Sequence, residues 1–271
     1  MVLRAQPSPN HDARPPGCAI DTLILHYTGM PSAQAALVRL CDPAARVSAH
    51  YLIDEDGSVV ALVPEPARAW HAGVSSWQGR TGLNDGSIGI ELVNPGHEWG
   101  YRPFAEPQYH ACIELCRGLL ERWPIPPERV LGHSDIAPER KQDPGELFDW
   151  RRLAAAGVGL WPEPGAGRPR STGRLQAELG RIGYAVPRHG RLDAATRCVL
   201  RAFQRHWRPE QVDGRADHGT LARLDGLLSC DRAEPSSCRP SQPRDRSLAG
   251  RTTGRRAGGR SRPDRRRRPS D

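Results

Sequence analysis

The apolar pattern starts late in the chain. Residues 1–17 carry Pro7, Pro9, Pro15 and Pro16 and no apolar run, so they read as an extended N-terminal segment. Over residues 20–27 Leu23, Ile24 and Leu25 follow one another without a breaker, which predicts a buried strand with His26 at its C-terminal end, stopped by Thr28-Gly29. Ala, Leu and Val then recur at helical spacing over 32–41 behind Ser32, a suitable N-cap. Residues 49–53 and 58–63 flank Asp54-Glu55-Asp56-Gly57, the pattern of a hairpin. Residues 68–86 are rich in Gly, Ser, Trp and Asn and have no period, so they predict a long loop of the kind that carries function. Another apolar run at 88–93 predicts a strand, a helix follows over 107–123, and 129–132 predicts a short strand that delivers His133. Strands alternating with helices predict an α/β (α+β) domain, a central β-sheet with packed helices.

A composition change divides the rest. Residues 162–170 are Pro, Gly and Arg and read as a linker. Leu175, Leu179, Ile182 and Tyr184, then Thr196, Val199, Leu200 and Phe203, then Leu221 and Leu224, mark three short helices, a small C-terminal three-helix module over 171–229. Residues 230–271 are Arg, Pro, Ser and Gly with almost nothing to bury and are expected to be a disordered tail. The first folded unit is therefore placed at 18–161.

Charge changes the picture only at that tail. The net charge of the 271 residues is +8, yet 239–271 alone hold twelve Arg against three Asp, so the folded body is close to neutral. The run Arg265-Arg266-Arg267-Arg268 has no interleaved aromatic residue, which reads as a solvated tail and not as a specific nucleic-acid site. Seven cysteines show no disulfide framework, and reduced thiols are expected. No run approaches ~18 apolar residues, so no membrane span is expected. The first residues lack a signal-peptide core, which points to the cytoplasm, with export to the periplasm or cell envelope by a non-standard route as the alternative.

Three features carry chemistry. Glu91 interrupts a strand otherwise written for burial, and a carboxylate there needs a partner or a purpose. Lys141 is the single lysine among 39 Lys and Arg residues, in a segment that also holds His133, Asp135 and Asp143. A lysine kept against that bias suits a role for a compact ammonium that a guanidinium cannot fill. His26, His133 and Asp143 would make a three-ligand metal site if their strands are neighbours, with Asp135 as a competing ligand; two such distant histidines are equally compatible with core or surface positions.

The run Leu25-His26-Tyr27-Thr28, the loop Ala69-Trp70-His71-Ala72-Gly73 continuing through Ser76-Trp77-Gln78-Gly79, the pair Asn84-Asp85, the strand Ile88-Gly89-Ile90-Glu91-Leu92 and the segment Gly132 to Gly145 together resemble the type 2 N-acetylmuramoyl-L-alanine amidases. These are AmpD/AmiD-like zinc enzymes related to peptidoglycan-recognition proteins. The resemblance covers about 18–161 and implies a mixed central sheet under a substrate groove. It makes His26, His133 and Asp143 ligands of Zn2+, Glu91 the catalytic carboxylate and Lys141 the second catalytic residue, acting on the amide between N-acetylmuramic acid and L-alanine. Trp70, His71, Trp77 and Asn84 would line the groove for a peptidoglycan or muropeptide partner, with plain loop packing as the equal alternative for them.

Residues 171–228 resemble the helical peptidoglycan-binding module found beside such amidases, through Leu175-Gln176, Gly183-Tyr184, Asp193, Phe203-Gln204 and Val212-Asp213-Gly214. A non-catalytic peptidoglycan receptor on the same fold is the rival reading. A monomer is expected. The linker further predicts that a chain cut after Trp161 still cleaves small muropeptides, losing only attachment to insoluble wall.

Overall fold

The computed structural model describes residues 3–230; the expectation for the Arg-rich tail falls on residues outside them, save the first. In β3 (Thr22–Tyr27) the side chains of Leu23, Ile24 and Leu25 are all wholly buried, too many in succession for a strand with one wet face. It is covered on both sides by parallel neighbours. β9 (Ser87–Leu92) pairs with it so that His26 stands opposite Glu91, and β10 (Val130–Gly132) pairs on the other side with Gly132 opposite Leu25. These three strands end together, so His26, Glu91 and His133 emerge at one edge of the sheet, where open α/β sheets bind ligands.

β4 (Tyr51–Ile53) and β5 (Val59–Ala61) form the expected hairpin, turning through Gly57 at φ 85°. Among the described residues the sheet runs β1 (Leu3–Ala5), β5, β4, β9, β3, β10, and it is mixed. The proline-rich N-terminus thus supplies an edge strand. It also supplies β2 (His11–Ala13), antiparallel to β6 (Ala67–Ala69), and Arg14, whose guanidinium donates to the carbonyls of Glu65, Asn84, Asp85 and Ser87. The long loop holds a further small pair, β7 (Ser76–Trp77) and β8 (Arg80–Thr81).

Helices cover the sheet. α1 (Ala33–Cys41) is capped by Ser32 Oγ, which accepts from the Ala35 N–H at 3.2 Å, and buries Ala36, Leu37 and Leu40. α2 (Gly96–Trp99) is a single turn. α3 (Glu106–Arg122) lays Tyr109, Cys112, Leu115, Cys116 and Leu119 inward, and its buried Gln108 donates to the carbonyls of Ile53 and Val93, both at 3.0 Å. α4 (His133–Ile136) and α5 (Trp150–Ala155) follow. The C-terminal module is α6 (Thr172–Ile182), α7 (Ala194–Trp207) and α8 (His218–Cys230), closed around wholly buried Leu179, Leu200 and Phe203. Residues 162–170 lie along α8, with the N–H groups of Gly165 and Gly167 donating to Ala222 O and to the Asp225 carboxylate. Cys18, Cys41, Cys112, Cys116 and Cys198 are free, but Cys230 is disulfide-bonded, which corrects the expectation of reduced thiols throughout. Among the described residues no helix is long and apolar enough to cross a membrane.

His50 is expected to make the fold sensitive to acid. It is wholly buried, its Nδ1 accepts from the Gly89 N–H at 3.0 Å, and Nε2 therefore carries the proton and donates to Ala67 O. Burial, reinforced by the neighbouring Arg14 guanidinium, pushes its pKa down to about 3 from 6.5. Between those values the unfolded chain binds the extra proton, so stability is lost as pH falls through that window, by up to about 1.4 kcal/mol per pH unit. Thermal melts from neutral to acid pH should show a shallower slope in His50→Asn, which keeps an acceptor near the Nδ1 position. Identical slopes would refute the assignment.

Candidate active site

His26 sits at the end of β3, His133 opens α4 directly after β10, and Asp143 arrives from the segment that follows α4. Their Nδ1, Nδ1 and Oδ2 atoms converge. The two imidazole nitrogens are 2.9 Å apart, and each is 3.0 Å from the carboxylate oxygen. All three residues are buried. A tetrahedral ion with bonds of about 2.0–2.1 Å spaces its donor atoms about 3.3 Å apart, so the trio has the spacing of three corners of such a site.

The surrounding donors decide which nitrogens are bare. His133 Nε2 lies 3.1 Å from Ala72 O, which can only accept, so the neutral ring carries its proton there and Nδ1 is open. For His26 the assignment passes through two residues. The Ser87 hydroxyl donates to Leu83 O at 2.6 Å and therefore accepts from His71 Nε2–H at 3.2 Å. His71 Nδ1 then accepts from His26 Nε2–H at 3.1 Å, which leaves His26 Nδ1 bare. Two open lone pairs and a carboxylate facing one another call for positive charge among them, and a divalent cation fits that donor set.

Electrostatics agree. Burial pushes the His26 pKa down to about 4, with His133 adding to the effect, so the ring is neutral at pH 7 as ligation requires. Burial alone would raise the pKa of Asp143, but His133 and His26 hold its carboxyl far below the usual range. The relay also needs space: a Cβ at Gly89 would lie 2.4 Å from His71 Cγ, so only glycine lets that ring rest on β9.

Glu91 and Lys141 line the same cleft as the trio, a cavity of about 600 Å³. Glu91 Oε2 is sealed from solvent and has no hydrogen-bond partner among the described residues. Burial pushes its pKa well above the ordinary value, Asp143 adds to this, and Lys141 opposes it. Such a carboxyl takes up a proton more readily than a free one, which suits a group that must accept and return a proton. Lys141 is half-buried and makes no ion pair among the described residues.

Of the four residues considered for a groove, His71 reaches the cleft, as part of its floor and committed to His26. Trp70, Trp77 and Asn84 do not line it. Trp70 Nε1 donates to Asp12 at 3.2 Å, and Trp77 is buried edge-on against the Tyr184 ring. Asn84 Oδ1 accepts from the N–H groups of His71 and Ala72. Loop packing, the alternative reading, describes these three. The cleft wall instead carries Arg39 and Trp99, the latter 61% exposed. Asp135, the competing ligand, is wholly buried and accepts from Gly132, Tyr184 and His206, away from the trio. Arg140 had given no signal by itself; it donates to Ala72 O and Val74 O and straps the loop against the site.

Residues 16–146 match the family model for N-acetylmuramoyl-L-alanine amidase, and residues 171–224 match a peptidoglycan binding domain. The N-acetylmuramoyl-L-alanine amidase AmiD of Escherichia coli K12 is 40% identical over 231 residues, 77% of this chain and 82% of AmiD. The 1,6-anhydro-N-acetylmuramyl-L-alanine amidase AmpD of Enterobacter cloacae is 40% identical over 169 residues, 56% of this chain and 88% of AmpD. The solved structure of E. coli AmiD with the substrate anhydro-N-acetylmuramic acid-L-Ala-D-γ-Glu-L-Lys matches with a TM-score of 0.70 at 38% identity, covering 80% of this chain and 92% of that one. With the amidase match spanning His26, Glu91, His133 and Asp143, and the AmiD match covering most of both proteins, this chain belongs to the N-acetylmuramoyl-L-alanine amidase family of metalloenzymes.

Proposed function

We propose that the protein is a zinc-dependent amidase that hydrolyses the amide between the lactyl group of N-acetylmuramic acid, in its 1,6-anhydro form or in wall glycan, and the L-alanine of the stem peptide. The observation that carries this is the convergence of His26, His133 and Asp143 in one cleft with Glu91, whose Oε2 is sealed and has no partner among the described residues. Two imidazoles and a carboxylate suit zinc, and three protein ligands leave a position open for chemistry. When bound, zinc supplies a Lewis acid and brings the pKa of water down towards about 7. Glu91 takes the proton of the attacking water and returns it to the departing amine nitrogen. Lys141 faces the oxygen that gains charge as the carbonyl carbon becomes tetrahedral. Trp99 and Arg39 offer an apolar face and a cation to sugar and peptide. A non-catalytic peptidoglycan receptor would have no use for a carboxyl with one unpartnered buried oxygen next to a complete ligand set, which argues against that rival.

The names of AmpD and of the AmiD complex support an anhydro-muropeptide substrate, while the module at 171–224 supports contact with intact wall. Digesting both with the same preparation tests the reading. Mass spectrometry should find free sugar acid and intact stem peptide from the muropeptide. A different scissile bond, or no cleavage by metal-replete protein, would overturn it.

Lys141 gives a narrower prediction. Lys141→Ala should leave zinc content and KM nearly unchanged while kcat falls by about 10²–10³, the usual loss for one oxyanion donor. Lys141→Arg should rescue little, because a guanidinium is planar and wider than an ammonium. Near wild-type turnover in Lys141→Arg would reduce Lys141 to a generic positive charge.

A further inference from the structure

The segment 133–146 carries His133, Lys141 and Asp143, and the C-terminal module grips it from α7 and from Tyr184, two residues beyond α6. Asp135 has none of its surface exposed. One carboxylate oxygen accepts from the Gly132 N–H at 2.7 Å and lies 2.7 Å from His206 Nδ1; the other accepts from the Tyr184 hydroxyl at 2.6 Å. Asp135 thereby closes the single turn α4, which begins at His133, while two side chains of the module hold it. Further along, Gln142 Oε1 accepts from Arg205 Nη2 at 2.7 Å, and Arg205 Nε lies 3.7 Å from Glu146. Gln142 stands between Lys141 and Asp143 in the chain.

The grip itself is braced. His206 is stacked between Trp150, at 3.8 Å between ring centroids, and Trp207, at 3.9 Å. Tyr184 meets Trp77 edge-on at 4.8 Å. Apolar contact alone would hold two parts together in several registers, whereas short directional bonds to a buried carboxylate admit one.

We propose that the C-terminal module is part of the active site: Tyr184, Arg205 and His206 are positioning residues that act through Asp135 and Gln142 to hold His133, Lys141 and Asp143 in register with His26 and Glu91. Besides any contact with wall, the module then sets metal affinity and turnover. This replaces the expectation that a chain cut after Trp161 cleaves small muropeptides unaided. The inference rests on the metal reading of His133 and Asp143.

Full-chain variants separate the possibilities. Tyr184→Phe removes only a hydroxyl. His206→Phe keeps a ring between the tryptophans and drops the donor, and His206→Asn restores a donor while giving up the ring. Cobalt(II) affinity would be measured by competition with a chromogenic chelator, alongside the visible spectrum of the cobalt protein, thermal melts, and kcat and KM. The Tyr184→Phe/His206→Phe double variant should lose about 10-fold or more in cobalt affinity, the usual effect of removing a group behind a ligand, with a changed spectrum, lower kcat and steady KM. His206→Asn should recover part of the affinity lost in His206→Phe. Wild-type affinity and spectrum in the double variant would overturn the proposal, as would affinity that follows melting temperature instead of the presence of a donor. If the double variant does not fold, Tyr184→Phe alone decides by the same two measurements. A wild-type protein that binds no cobalt would instead refute the metal reading beneath it.

Discussion

Dialysis against a chelator is expected to abolish amide hydrolysis while leaving the fold in place, and added zinc is expected to restore it. The reason lies in how the trio is built. The outer nitrogens of His26 and His133 are anchored to His71 and to Ala72 O, so both rings keep their places without an ion, and a proton taken up by the trio can replace the lost positive charge. The core of wholly buried Leu23, Ile24, Leu25, Ile88 and Ile90 lies behind them and needs no metal to close. Loss of a bound ion lowers apparent stability only by its mass-action contribution, about 2.7 kcal/mol at a hundredfold excess over Kd. Elemental analysis, circular dichroism and turnover on the same samples check this. Demonstrably metal-free protein that still hydrolyses the amide would sink the mechanism.

Replacing Glu91 by Gln is expected to lower kcat by about 10²–10⁴, the range for one acid–base group, and to raise the melting temperature. The two effects share a cause. Glu91 Oε2 is buried without a partner among the described residues, and Asp143 nearby makes ionisation harder still. An amide of the same shape removes that ionisable group and with it the route for the proton, leaving substrate contacts and KM nearly intact. A gain in stability together with a loss of rate is the mark of a strained catalytic group. A variant that keeps more than a small fraction of wild-type turnover would show that another residue moves the proton.

Parts of this site were legible because they break a pattern. Glu91 interrupts Ile88, Ile90 and Leu92, and His26 and His133 each end a run written for burial, so the parallel strands had to bring them to one edge. Asp143 and Asp135 could not be separated by spacing from His133. They differ in what lies across from them, Tyr184 and His206 in one case and the imidazoles of His26 and His133 in the other, and those contacts are made by distant parts of the chain. The loop aromatics stayed open between groove and packing for a related reason: an indole facing a sugar and an indole facing Tyr184 leave the same trace in a Gly-rich segment. β1 and β2 gave no signal because three-residue strands with largely exposed side chains carry no alternation, and their pairing rests on the backbone and, in β2, on the Asp12 carboxylate against the distant Arg68.

Gly89 bears on any redesign of this enzyme. A designer scoring β9 by strand propensity would see a glycine in the middle of a buried parallel strand and fill it with valine, which the local backbone alone would favour. The added carbons would occupy the place of the His71 ring. With that ring evicted, His26 loses the acceptor that keeps its proton on the far nitrogen, and a change scored as pure stabilisation would turn the side of the imidazole that faces Asp143 into a donor. The atom left out at residue 89 is as much a component of the centre as the ligands themselves, and a design protocol has to treat that absence as a fixed part.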